Sequence, residues 1–245
     1  MGDDETQERL RLDQSPSAPP VDGSRPSESI AEQVFRALRS SIITLRLTPG
    51  TALSEQDIAS RLDVSRQPVR EAFIKLSEIG LVRVLPQRGT FVVKISPKAV
   101  TDARFVREAV ECAIARRAAE EIAPGAIDAL RELIERQKEA ARAASAEDFF
   151  VLDEAYHRTL AEGAGCAYAW KVIGEAKAQM DRVRFLRLSE ATPMGHLIAH
   201  HGEIVDAIVA NDADAAERVM KIHLRGILQS LPRLAQAFPD LFDAS

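Results

Sequence analysis

The stretch Ser65-Arg66-Gln67-Pro68-Val69-Arg70-Glu71 decides how the N-terminal part of this 245-residue chain is read. Arg66 and Arg70 lie four residues apart and share one helical face, while Val69, Phe73 and Leu76 share the opposite one. A helix with donors in its first turns and an apolar back suits the major groove of DNA, where the N-terminal residues of a recognition helix meet base edges. One arginine in bidentate contact with guanine is worth about 1–3 kcal/mol of discrimination. Taken alone, the same pattern also fits two solvated arginines paired with Glu71 and Asp63. Ser65 stands as the N-cap of this helix and Gly80 closes it.

Upstream, Ile30, Val34, Leu38 and Ile42 recur at helical spacing, and the pattern ends before Pro49-Gly50. A short helix follows Ser54, with Ile58, Ala59 and Leu62 on one face. Downstream, two β-branched stretches, Leu81 to Leu85 and Thr90 to Val93, flank Pro86-Gln87-Arg88-Gly89 and predict a hairpin. Three helices and a two-stranded wing make a winged helix-turn-helix over residues 29–95. The chain as a whole carries a net charge of −5, yet residues 30–95 hold 10 Lys and Arg against 6 Asp and Glu. The basic segment is therefore the one that reads as a DNA binder. Residues 1–28, rich in Pro, Ser and acids, have too little apolar content to offset the entropy of ordering and predict a disordered tail.

Beyond Pro97 the strand signal stops. Amphipathic helices are predicted over 98–122, 124–143, 146–163, 166–189, 194–210 and 213–237, forming a separate all-helical domain over 98–238 for effector binding and dimerisation. The fold class is mainly α, a winged helix-turn-helix followed by an all-α bundle. A content of 46% hydrophobic and 28% charged residues suits a globular protein. No apolar run reaches the roughly 20 residues of a membrane span, and the acidic start lacks the pattern of a signal peptide, so the expected location is cytoplasmic. Cys112 and Cys166 are far apart with no C-x-x-C partner and read as buried small residues.

The histidines carry the chemistry of the second half. Asp153 and His157 lie one turn apart in a stripe formed by Phe149, Leu152, Tyr156 and Leu160. His201 sits among Leu197, Ile198, Ile204, Val205 and Ile208, and His223 among Val219, Met220, Ile227 and Leu228, while His200 points elsewhere. A carboxylate in an apolar seam needs a positive or hydrogen-bonding partner, and a divalent cation would be one. Histidine nitrogen with one carboxylate suits zinc, nickel, manganese or iron and argues against calcium or magnesium. Spacing alone leaves hydrogen-bonded core histidines equally open.

The segment Ser29–Val93 resembles the GntR family of winged-helix regulators through Leu38-Arg39, Pro49-Gly50, Leu53-Ser54-Glu55, Ile58-Ala59, Val64 to Ala72, Leu76, Gly80-Leu81-Val82 and Arg88-Gly89. The resemblance implies that Arg66 and Arg70, with Ser65 and Gln67 beside them, reach the major groove of a pseudo-palindromic operator. It also implies that Arg88 and Gly89 enter the minor groove and that Arg39 touches backbone. Gln56 stands where members often carry arginine, and Asp63 where glycine is common. Residues 98–235 resemble the FCD effector domain of the FadR branch, whose metal-binding members use an aspartate and a histidine one turn apart and two later histidines. Asp153, His157, His201 and His223 match that pattern, which decides for a metal, zinc first. The implied protein is a homodimeric repressor answering to a small carboxylate effector. Arg107, on a stripe with Ala103, Val110 and Ile114, is a further candidate effector contact; the same position allows an intrahelical pair with Glu111. Arg182, Arg184 and Arg187 read as a solvated basic face, with Arg184 able to line the pocket, and Tyr168 and Trp170 as packing residues. The alternative, a metal-dependent hydrolase with an appended DNA binder, lacks an H-E-x-x-H or G-x-S-x-G motif.

Overall fold

The computed structural model describes residues 28–189 and 194–243, which fall into two compact units meeting between Lys94 and Ile95. The tail expected over 1–28 lies outside the described residues apart from Glu28, whose carbonyl accepts from Gln33 Nε2 at 3.1 Å.

In the first unit, α1 (Ile30–Ile43) starts at Ser29, whose hydroxyl accepts the Glu32 N–H, and buries Val34, Leu38 and Ile42. Strand β1 (Ala52–Leu53) leads to α2 (Glu55–Leu62), capped in the same way by Ser54, and then to α3 (Arg66–Glu78) and the hairpin β2 (Val82–Leu85) and β3 (Gly89–Val92). Asp63, between α2 and α3, has φ 52° and its N–H returns to Ala59. This left-handed C-cap is why glycine is the common choice there, and aspartate is among the side chains that tolerate it. Ser65 occupies the N-cap of α3 but, contrary to expectation, makes no side-chain capping bond; its hydroxyl is left to the surface. Ile42, Val69, Ala72, Phe73, Leu76 and Leu81 form the core.

The sheet is three-stranded, in the order β1-β3-β2, not the two-stranded wing expected. Gly50, at φ 84°, turns the chain so that its N–H reaches Val92 O and Thr51 O accepts from Val92 N, which places Ala52 opposite Phe91. A two-residue strand has no alternation to read, so only this pairing reveals it.

The second unit contains α4 (Pro97–Glu120), α5 (Ala126–Arg142), α6 (Ala146–Gly163), α7 (Ala167–Ala176), α8 (Ala178–Ser189), α9 (Met194–Val209) and α10 (Ala213–Ala237). Among the described residues seven helices replace the six expected, because the span 166–189 is broken at Lys177. That lysine is buried, and its ammonium is held by both oxygens of Asp181 at 2.9 and 2.7 Å and by Glu154. Helix α4 packs against α10, α9, α8, α7 and α6, a central position that explains its weak amphipathic stripe. Cys112 on α4 is buried as expected, but Cys166 is only half-buried. Among the described residues no helix is long and apolar enough to cross a membrane.

Both ends of this unit meet. Ile95 and Phe242, each buried, form a parallel bridge in which Ile95 N donates to Leu241 O and Asp243 N donates to Ile95 O, at 2.8 and 2.9 Å.

Candidate metal centre and DNA-reading face

On the first unit, Ser65, Arg66, Gln67 and Arg70 are all exposed on the first turns of α3. Their charge partners are not Asp63 and, for the arginines, not Glu71. Both arginines converge on Glu55 of α2: Arg70 Nε and Nη2 bind its two oxygens at 3.0 Å each, and Arg66 Nη2 donates to Oε2 at 3.0 Å. This hold, Arg70 first, keeps the Glu55 carboxyl below its ordinary range. Gln67 donates to Glu71 at 3.0 Å. Arg88 and Gly89 stand exposed at the hairpin tip, where Gln87 (φ 60°) and Gly89 (φ 104°) make the turn. Arg39 is half-buried on α1, and Gln56 is exposed on α2.

On the second unit, α6 begins at Ser145, whose hydroxyl accepts the Asp148 N–H, with Glu147 and Asp148 favourably placed in the first turn. Its buried stripe carries Asp153 and His157 toward His201 of α9 and His223 of α10. All four residues are buried, and one ligand atom from each lies within 4.8 Å of all the others. His157 Nε2 and His223 Nε2 are 3.2 Å apart, and His201 Nε2 faces Asp153 Oδ1 at 3.5 Å. His200 also lies near, its ring 5.9 Å from that of His223.

An outer residue sets the tautomer of His201. Gln137, fully buried on α5, donates Nε2 to Leu152 O at 3.3 Å, so its Oε1 accepts from His201 Nδ1 at 2.8 Å. The lone pair of His201 therefore sits on Nε2, facing the cluster. Tyr156 donates to His201 O at 3.0 Å and stacks on the His201 ring at 4.0 Å. Glu111 Oε2 lies 2.6 Å from His157 Nδ1, an electrostatic contact rather than an aligned hydrogen bond, since that nitrogen has no hydrogen-bond partner. Burial by itself would raise the Glu111 carboxyl, but Arg107 and His157 outweigh it and bring it to about 2. Burial lowers His201 to about 3 and also lowers His223, keeping both neutral and able to act as ligands.

The burial of Asp153 does not in itself demand a metal, because Arg184 supplies the partner, binding Oδ2. Burial raises this carboxyl and Arg184, His157 and His201 more than reverse that. The signs of a cation are instead Asp153 Oδ1 and His201 Nε2, both buried without a hydrogen-bond partner and facing each other. Unpaired buried polar atoms cost about 1–3 kcal/mol each, and a divalent ion would satisfy both. The donor set, three imidazoles and one carboxylate, fits a first-row transition ion.

Beside the cluster opens a cavity of about 460 Å³, counting the space at its mouth, floored by Asp153 and His223 and walled by Arg107, Arg184 and Arg187. Arg107 lines it while also forming the buried pair with Glu111, so the intrahelical pairing is realised. The solvated basic face is overturned: Arg182 is fully buried, Arg184 is enclosed by Asp153, Glu154 and Asp181, and Arg187 lines the cavity. Tyr168 is 79% exposed rather than packed, while Trp170 is half-buried, parallel to the His157 ring at 6.3 Å. Gln137, Glu111 and Arg187 were not singled out by sequence for these roles. Their signal would have been polar residues on otherwise apolar helical faces.

Residues 30–92 match the family model "Bacterial regulatory proteins, gntR family", and residues 102–226 match "FCD domain". The HTH-type transcriptional repressor RspR of Escherichia coli (strain K12) is 41% identical over 217 residues, 89% of this chain and 95% of the relative. A putative GntR transcriptional regulator from Rhodococcus sp. RHA1 superposes with a TM-score of 0.70 at 26% identity, over 84% of this chain and 99% of that one. E. coli McbR/YncC shares the fold, with a TM-score of 0.76 at 19% identity over 84% and 99% of the two chains. These likenesses give the hydrolase alternative no support.

Proposed function

The chain belongs to the GntR family of bacterial regulatory proteins and carries an FCD domain as its second unit, and from that premise we propose that it is a transcriptional regulator whose operator affinity is set by a small organic acid bound beside a divalent metal ion. Arg66 and Arg70, with Ser65 and Gln67, would read the major groove, Arg88 and Gly89 would enter the minor groove, and Arg39 would rest on backbone phosphate. The regulator would act as a homodimeric repressor on a pseudo-palindromic site. Asp153, His157, His201 and His223 would hold the ion, zinc ahead of nickel, manganese or iron.

When bound, such an ion supplies a Lewis-acidic anchor for a carboxylate. The rest falls to the chain itself. Gln137 and Tyr156 hold the His201 ring and Glu111 faces that of His157, so the ligands are oriented in advance. Arg107 offers a guanidinium to the acid from the cavity wall. Effector and operator are linked reciprocally, with a coupling of about 1–3 kcal/mol.

The observation that carries this reading is the pair of buried, partnerless atoms, Asp153 Oδ1 and His201 Nε2, facing each other inside the four-residue cluster. The test is elemental analysis of untagged full-length protein. About one metal ion per chain is expected in the wild type and loss of it in His201→Ala and His223→Ala, with DNA binding in the absence of acid retained. Unchanged metal content in both variants overturns the site.

A further inference from the structure

Arg187 differs from the two other arginines that line the cavity. Arg107 is paired with Glu111, and Arg184 with Asp153, Glu154 and Asp181. Arg187 lines the same cavity, and among the described residues no carboxylate lies within ion-pair distance of it. Its Nε is buried and has no hydrogen-bond partner. Burial lowers its pKa against the attraction of Asp153, and Arg184 and Arg233 lower it further. The guanidinium lies against α10 where Gly226 has no side chain: a Cβ there would stand 3.2 Å from Nη1 and 3.4 Å from Nη2. An unpaired, partly desolvated cation held in a cavity wall costs stability, and an incoming anion would recover that cost.

We propose that Arg187 is a specificity residue of this cavity, selecting acids that carry a second anionic group, dicarboxylates above all, over the matched monoacids. One carboxylate would lie toward the histidine cluster and the other would meet the Arg187 guanidinium. The inference rests on the reading of the cavity as the effector site.

The experiment is isothermal titration of full-length, zinc-loaded protein with matched pairs: butyrate and succinate, valerate and glutarate, gluconate and glucarate. The wild type is expected to bind the diacid of at least one pair about tenfold or more tightly than its monoacid, the size of one charge-assisted hydrogen bond to an ionised group. Arg187→Gln should bring the diacid down to the monoacid's affinity and leave the monoacid unchanged, and Gly226→Ala, whose Cβ would push the guanidinium by a few tenths of an ångström, should lower the ratio part of the way. Gly226→Ala improves helix propensity, so this shift comes without weakening α10. Ligand-free Arg187→Gln should melt at or above the wild-type temperature, because no ion pair is lost. Monoacids binding as well as diacids, an unchanged ratio in both variants, an equal fall for both acids, or a lowered melting temperature would each overturn the inference alone. Failure of every acid to bind the wild type overturns the effector reading as well.

Discussion

In the DNA-reading unit the key arginines stand in solvent, with the side chains of Arg66 and Arg70 61% and 54% exposed and sharing the single carboxylate of Glu55. In the helical unit the Arg184 side chain is 12% exposed and surrounded by Asp153, Glu154 and Asp181. The first arrangement suits a partner that arrives from water and brings its own charge. Little desolvation has been incurred beforehand, and an exposed ion pair of this kind contributes about 0–1 kcal/mol. The second suits a small ligand that must be recognised inside a cavity, where charges are fixed in advance and each depends on its neighbours. Function and stability are thus separable in the first unit and entangled in the second.

That contrast can be broken most directly at Arg184. Arg184→Ala strands the buried carboxylate of Asp153, leaves Lys177 alone to answer Glu154 and Asp181, and is expected to destabilise the protein by about 3–5 kcal/mol, read from urea denaturation. A loss below about 1 kcal/mol would show the network to be as loose as the surface pairs. Gln137→Leu probes the next tier. It removes the acceptor that fixes His201 Nδ1, and the affinity for zinc, measured by competition with a chelator, should fall about 10–100-fold. Retained affinity would mean that His201 needs no such orientation. For stability the smallest effect belongs to the reading face. Arg70→Ala should change unfolding free energy by no more than about 0.5 kcal/mol while weakening selected operator DNA by about 1–3 kcal/mol. Full affinity in that variant would refute the role given to α3.

The two units also differ in how much of them sequence discloses. The three helices and the hairpin of the first unit were legible because apolar spacing, caps and turn residues all act locally. Strand Ala52–Leu53 was not, because it exists only through its pairing with Phe91 and Thr90. In the second unit the stripe positions put Asp153, His157, His201 and His223 on buried faces, and it was the resemblance to FCD domains that joined them into one cluster. What lay beyond local pattern was the company they keep. Glu111 reads as a helical partner of Arg107 four residues away, and it is that, but its contact with His157 of α6 follows from packing alone. Arg182, Arg184 and Arg187 read as solvated because consecutive charges usually are. Arg182 is buried and Arg184 and Arg187 are half-buried because α8 inserts them between other helices that supply carboxylates to Arg184 and, for Arg187, a glycine.

The bridge between Ile95 and Phe242 fastens the two ends of the helical unit to each other, so fraying at either end is resisted by the other. The hydrogen bonds that close it are backbone bonds, indifferent to the side chains on either side.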